Sequence, residues 1–304
     1  MRRRFIGVLN GAIAAASYGT NPLFALPLYG GGIGVNSVLF YRYAFAVVMY
    51  WIWLKFVKKT SLKITRQEFL PLFILALLFS LSSLTLFEAF KYIEVGIACT
   101  ILFIYPVLVA IITAVFFKEK ITKTVIFSIL LTFTGISLLY KGNSASGLNP
   151  YGVAIVFASA LLYALYIVGV RNIKTVKHIK IDKLSFYVML FGLLVYVFNL
   201  KFCTELQIIK EPFLWLNAFA LALFPTIISL ETLSVSIKLI GSTTTAILGA
   251  LEPLTAIFFG VVVFHEQLTV RIGIGVMLIL LGVFLIVTRN TLKKACPIKV
   301  KNNE

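Results

Sequence analysis

Apolar runs of about 20 residues alternate along this chain with short clusters of charged and turn-forming residues. Cutting at those clusters leaves ten runs, at roughly 5–28, 34–56, 69–90, 95–117, 121–141, 150–170, 184–200, 213–235, 242–264 and 269–288. Most are long enough to cross a hydrocarbon core of roughly 30 Å as an α-helix; the run at 184–200 is the shortest. The pattern predicts an all-α polytopic membrane protein with ten transmembrane helices.

Composition agrees. Of 304 residues, 60% are hydrophobic and 13% charged, against about 25% charged in soluble domains. Mean hydropathy is +1.01, more apolar surface than a water-soluble fold of this size can hide, so the lipid bilayer is the solvent. The net charge of +17 comes from basic residues lying between the runs. That is a pattern of membrane orientation, and it argues against nucleic acid as a partner. With the N-terminus in the cytoplasm, alternation puts 22 Lys and Arg residues inside. Only Lys91, Lys141, Lys201, Lys210 and Arg271 fall outside or at the outer rim, and Arg42 falls within a run. The asymmetry supports an even number of spans with both termini cytoplasmic. Asn10, Ser17, Asn21 and Pro22 punctuate the first run, which is expected to be a retained helix and not a cleaved leader. Cys99, Cys203 and Cys296 have no metal-site spacing, His178 and His265 have no partners at ligand spacing, and GGGIG at 30–34 reads as a turn. No cofactor or metal is expected.

The chain repeats itself. FIYPVLVAIITAVFFKEKIT at 103–122 reappears 147 positions later as ALEPLTAIFFGVVVFHEQLT at 250–269, and the same shift aligns Lys91 with Lys238 and Gly135 with Gly282. Five spans separate the copies, an odd number, so the two halves face opposite ways. The expected units are a first repeat at 1–142, a second at 149–290 and a basic cytoplasmic tail at 291–304. An inverted pair can close alternately on either side, as in many secondary transporters. Pro106 and Pro253 lie about 16 Å into their runs, near the membrane centre. Each is expected to kink its helix and free a carbonyl one turn earlier, around Leu102 and Gly249, for the pathway or a hinge.

Four stretches resemble the EamA family of the drug/metabolite transporter superfamily: LFYRYAFA at 39–46, AFKYIEVG at 89–96, YPVLVAIITAVFFKEKIT at 105–122 and SIKLIGSTTTAILGALEPLTAIFFGVVVFHEQLT at 236–269. The resemblance spans nearly the whole chain as two repeats. It rests on Arg42, the Ala89-Phe90-Lys91-Tyr92 segment, the two prolines, the closing Glu119 and Glu266, and Gly135 and Gly282. It implies ten helices, with the first four of each repeat around a central cavity and the fifth packed outside. It also implies a cargo of amino acids or other small metabolites, mostly exported.

Ionisable residues inside runs should face the bundle interior or a partner. Arg42, roughly 12 Å deep, and Glu88 suggest a pair in the outer half of the cavity, acting either as a clamp or in substrate binding and gating. Glu252, just before Pro253, is the deepest acid. It is a candidate proton carrier, an acceptor for a cationic substrate group, or a structural bond to a neighbouring helix. Glu231 serves a gate or reaches the headgroups. Glu119 and Glu266 end helices where the dipole disfavours anions, and read as structural closures of each repeat. Uncharged candidates are Ser17, Tyr18 and Asn21 in the first span, Tyr105 before Pro106, Ser159 and Tyr163 on one face of the sixth, and Ser242 to Thr245, including Thr244, opening the ninth. Tyrosine hydroxyls in a partly apolar cavity suit a small zwitterion such as an amino acid.

The expected function is therefore secondary transport of a small organic metabolite by a monomer in the inner or plasma membrane, with protons as a candidate coupling ion. No Walker motif, HExxH or paired aspartates point to ATP hydrolysis or other enzyme chemistry. The alternatives are a facilitator or importer of a sugar, nucleoside or cationic compound, a channel, or a membrane protein without transport activity.

Overall fold

The computed structural model describes residues 2–89, 92–93, 98, 101–118, 121–139, 149–264 and 270–295, and all regular structure among them is helical. In chain order the helices are α1 (Arg2–Gly19), α2 (Asn21–Gly30), α3 (Val35–Ile52, prolonged by a π-helical turn at Trp53–Val57) and α4 (Arg66–Ala89). They continue with α5 (Tyr105–Phe117), α6 (Lys123–Leu139), α7 (Pro150–Asn172), the short α8 (Lys174–His178) and α9 (Ile181–Asn199). Next, α10 (Pro212–Ala222) passes through a π-helical stretch at Leu223–Ile228 into α11 (Ser229–Ile240). The last are α12 (Ser242–Leu248), α13 (Leu251–Phe264) and α14 (Val270–Ala295). Among the described residues, five continuous helical segments are long and apolar enough to cross a membrane: Val35–Val57, Arg66–Ala89, Pro150–Asn172, Ile181–Asn199 and Pro212–Ile240. The chain is an all-α multi-pass membrane protein.

The first apolar run is not one helix. It breaks at Thr20, whose hydroxyl turns back to donate to Ser17 O at 2.6 Å, and α2 restarts with Pro22 in its opening turn. A proline there needs no N–H partner and blocks continuation from α1. Before the break, α1 buries Gly7, Gly11, Ala14, Ala15 and Gly19 along one stripe. Small residues let backbones approach closely where lipid supplies no hydrophobic drive. A Cβ at Gly19 would stand 2.5 Å from the backbone oxygen of Glu252, so α1 lies directly against α13.

Two contacts between helices recur at the 147-residue spacing. A Cβ on Gly135 of α6 would meet Gly275 O at 2.7 Å and Ile279 Cγ1 at 2.8 Å. On Gly282 of α14 it would meet Thr132 Cγ2 at 2.7 Å and Ser128 O at 2.9 Å. The contacts are reciprocal, since 128 and 132 shifted by 147 become 275 and 279. The outward faces of this pair carry Phe127, Leu130, Met277 and Phe284, all exposed and apolar, as a lipid-facing surface requires. Likewise Ser82 of α4 donates to Ser159 O of α7 at 2.9 Å, and Ser229 of α11, 147 positions on, donates to Ala14 O of α1 at 3.0 Å. Ser159 is thus used in a helix contact, returning a 2.6 Å bond to Ser82 O.

Candidate functional site

The midplane prolines start helices where the sequence suggested kinks. Pro106 is the second residue of α5, preceded by a turn at Phe103 and Ile104; Pro253 is the third residue of α13, preceded by a turn at Gly249 and Ala250. In a first turn, the missing N–H has no intrahelical acceptor to lose, and proline's fixed φ is already helical. Both runs are therefore interrupted helices, a form that survives at membrane depth only where protein or a cavity surrounds it.

The two interruptions touch. Tyr105, immediately before Pro106, donates its hydroxyl to Ala246 O at 3.0 Å, the last turn of α12 before the break. The same hydroxyl occupies the space a Cβ would need at Gly249, which explains a glycine there. Gly249 N reaches Thr245 O and Ala246 O, both at 3.2 Å, and Glu252 N bonds Gly249 O at 2.9 Å, so the backbone of the turn is satisfied locally. At the matching position before Pro253 stands Glu252 in place of a tyrosine.

Beside this junction is a cavity walled by Gly11, Ala14, Ala15 and Tyr18 of α1, Tyr105 of α5, Tyr163 and Ile167 of α7, Ser229 and Leu233 of α11, and Thr245, Gly249 and Glu252. Its volume is ≈ 20 Å³, room for one or two waters and no organic solute in this conformation. Tyr105 and Tyr163 meet edge to face with ring centroids 4.8 Å apart. Glu252 makes no side-chain hydrogen bond among the described residues.

Arg42 does not pair with Glu88. It is 1% exposed, and its Nε donates to Thr226 Oγ1 at 2.6 Å and its Nη2 to Pro225 O at 2.9 Å. Those acceptors sit in the π-helical stretch between α10 and α11. There Pro225 supplies no N–H to the carbonyl of Leu221, and Thr226 Oγ1 bonds that carbonyl at 2.9 Å instead. Arg42 therefore staples α3 to a proline-opened helix, with its guanidinium 5.5 Å from the Tyr18 ring centre and 6.0 Å from that of Tyr43. Its Nη1 is buried without a partner among the described residues. Arg42 and Glu252 act on each other electrostatically, and both act on Tyr18. Pro225 and Thr226 were missed in the sequence; the available signal was a third proline deep inside an apolar run.

Of the other candidates, Tyr18, Tyr105, Tyr163 and Glu252 line the cavity together. Asn21 lies at the α1–α2 break, with Oδ1 buried and unpartnered among the described residues. Glu88 is partly buried near the end of α4. Thr244 is buried in α12, while its neighbour Thr245 faces the cavity and meets Ser236 Oγ at 2.9 Å. Glu231 is away from the cavity, in an ion pair with Lys58 at 3.2 Å. Glu119, Glu266, Phe90, Lys91, Cys99 and Cys296 lie outside the described residues; Cys203 is a free thiol.

A multi-pass helical protein with a polar cavity at two interrupted helices has the form of a membrane carrier. The EamA-like transporter family matches residues 5–141 and 150–288, and the chain belongs to that family and to the drug/metabolite transporter superfamily. An uncharacterized transporter of Archaeoglobus fulgidus is 32% identical over 75 residues, 25% of this chain and 26% of that protein, so the match spans about a quarter of the relative's length. A crystal structure of another protein superposes with a TM-score of 0.76 at 18% identity, covering 97% of this chain and 100% of that one, which shows a shared fold.

Proposed function

We propose that the chain is a secondary transporter, and not an enzyme, that exports small organic metabolites, amino acids or related compounds, across the inner or plasma membrane by alternating access. In this reading, ten spans form two inverted repeats with both termini cytoplasmic, and a monomer contains the whole pathway. The observation that carries it is the cavity at the meeting of two interrupted helices, bordered by a carboxylate and three tyrosines. Half-helix ends at the midplane are where secondary transporters place their substrates. The reciprocal Gly135 and Gly282 contacts and the matched Ser82 and Ser229 bonds support the inverted symmetry. A cavity that holds only water must widen to take cargo, which suits a carrier better than a channel.

The test is flux and pH change in proteoliposomes across a panel of amino acids, with wild type beside Glu252→Gln. Saturable flux that moves protons, with the coupling lost in the variant, supports a proton-coupled carrier. Saturable flux without proton movement makes the protein a facilitator, and non-saturating conduction makes it a channel. Absence of flux for amino acids, sugars, nucleosides and cations overturns transport.

A further inference from the structure

We propose that the cavity recognises its cargo by a protonated amine, held at Glu252 among the faces of Tyr18, Tyr105 and Tyr163, and that a carboxylate on the cargo is not required. The inference rests on the transporter reading and deepens it by naming the end of the molecule that is read.

Three observations carry it. First, among the described residues lining the cavity Glu252 is the only one formally charged, and none of its hydrogen-bonding capacity is spent on described residues. Second, key wall hydroxyls have used their protons elsewhere: Tyr105 donates to Ala246 O and Ser229 to Ala14 O. What they can still offer a ligand is lone pairs. Two such acceptors beside the Glu252 carboxylate suit an ammonium group, which has three donors and no acceptor. Third, three tyrosine rings border the same space, and a cation is attracted to an aromatic face most strongly where water is excluded.

The nearest cation does not compete for this role. Arg42 is not among the described residues that line the cavity, and its Nε and Nη2 are committed to Thr226 and Pro225. Its guanidinium is held by the π-helical stretch, 5.5 Å from the Tyr18 ring centre. Only its unpartnered Nη1 is left to read a carboxylate.

The experiment uses the full-length protein in proteoliposomes with three matched probes: leucine, its decarboxylated counterpart isoamylamine, and isocaproate, which keeps the carboxylate and lacks the amine. Isoamylamine should be carried with an affinity within about fivefold of leucine, and isocaproate should be about tenfold weaker or worse. Glu252→Gln should weaken both amines by about tenfold or more, and Tyr163→Phe should lose less than Tyr163→Leu, because the ring face survives in the first. Fluorescence-detected size exclusion establishes that each variant is folded. Carriage of isocaproate as well as leucine, or of leucine without isoamylamine, overturns the proposal in favour of carboxylate recognition through Arg42 while transport stands. If none of the three moves, the proposal falls, and transport falls with it only if sugars and nucleosides also fail to move.

Discussion

The two ends of the bundle are closed by different chemistry. At the end where α3 finishes, Lys58 bridges Asp182 at 2.8 Å and Glu231 at 3.2 Å, with its ammonium 4.2 Å from the Trp53 ring centre. Lys183 pairs with Glu68 at 2.8 Å, and Lys238 donates to the carbonyls of Val176 and Ile179 at 3.2 and 2.5 Å. These charges join α3, α4, α9 and α11. At the end where α3 begins, the bonds joining segments are neutral, and the exposed Lys201–Glu205 pair there stays within one loop. In the loop after α9, the Gln207 side-chain Oε1 accepts from Gly34 N, its backbone N–H donates to Ser37 Oγ at 3.1 Å and its backbone carbonyl accepts from the Tyr41 hydroxyl at 3.0 Å. Asn199 adds a 2.7 Å bond to Asn36. Gly34 is the N-cap of α3, and Gln207 satisfies its backbone N–H from outside the helix, as the glutamate of a capping box does from within. A lysine shared by two acids fails as a unit when removed, whereas three neutral bonds from one residue can each be replaced by water. The charged end should therefore respond more sharply to mutation and to salt.

The largest effect is expected from Lys58→Met, which leaves Asp182 and Glu231 facing each other without a cation. Partly exposed pairs of this kind are worth about 1–2 kcal/mol together, or about a tenfold shift toward opening at that end. The measure is the reaction of Ala15→Cys, on the cavity wall, with an impermeant maleimide in a background lacking the native cysteines. Labelling should rise about tenfold in vesicles exposing the charged end and stay within about twofold in the opposite orientation. Equal rates from both sides would show that Lys58 does not close one end.

Gln207→Ala should act on the other side and less strongly. It removes only the side-chain bond to Gly34 N, worth about 0.5–1.5 kcal/mol where water is excluded and less at a half-exposed mouth, while the backbone bonds to Ser37 and Tyr41 survive. Labelling of the same cysteine should rise about threefold from the neutral end alone. Salt separates the two closures further: raising ionic strength toward 1 M, where the Debye length is about 3 Å, should speed labelling through the charged end and leave the neutral end unchanged. Neutral-range pH should not distinguish them. Burial pulls the Lys58 ammonium down, but its hydrogen bonds to Asp182 and Glu231 and their charges outweigh that and hold it above the usual lysine value of 10.5. A raised lysine keeps its contribution below the unfolded value and loses it as pH climbs through the folded one. The clamp should hold from pH 6 to 9 and weaken only above about pH 10.5.

How much of this was legible in the sequence follows from what is local. The apolar runs, the 147-residue repeat and the four cavity residues Tyr18, Tyr105, Tyr163 and Glu252 could be read because length, register and isolated polarity are properties of short stretches. The helix breaks could not be read, because a proline deep in a run looks the same whether the residues before it remain helical or turn. Only packing decides that, here the Tyr105 hydroxyl seated on Gly249. The partner of Arg42 was misassigned for a related reason. Charge complementarity pointed to Glu88, but a guanidinium is satisfied equally by a carbonyl and a hydroxyl exposed where Pro225 disrupts a helix. Glu231 was placed near its end of the span, yet its partner Lys58 is 173 residues away and no local pattern links them.

The smallest expected effect sharpens the comparison from the middle. Tyr105→Phe keeps the ring against Tyr163 and removes one buried bond, leaving Ala246 O with its longer contact to Gly249 N, at a cost of about 0.5–1.5 kcal/mol. That bond joins the two interrupted helices and lies between the closures, so its loss should loosen both ends alike. Ala15→Cys labelling should rise by less than about threefold, and by the same factor in both vesicle orientations. A rise confined to one orientation would mean that the Tyr105 bond belongs to one closure and that the two breaks do not move as a unit. In that case the Tyr105 contact with Ala246 would be a latch of a single state, and exchange between states would have to begin elsewhere, at the Arg42 staple or at the α1–α2 break.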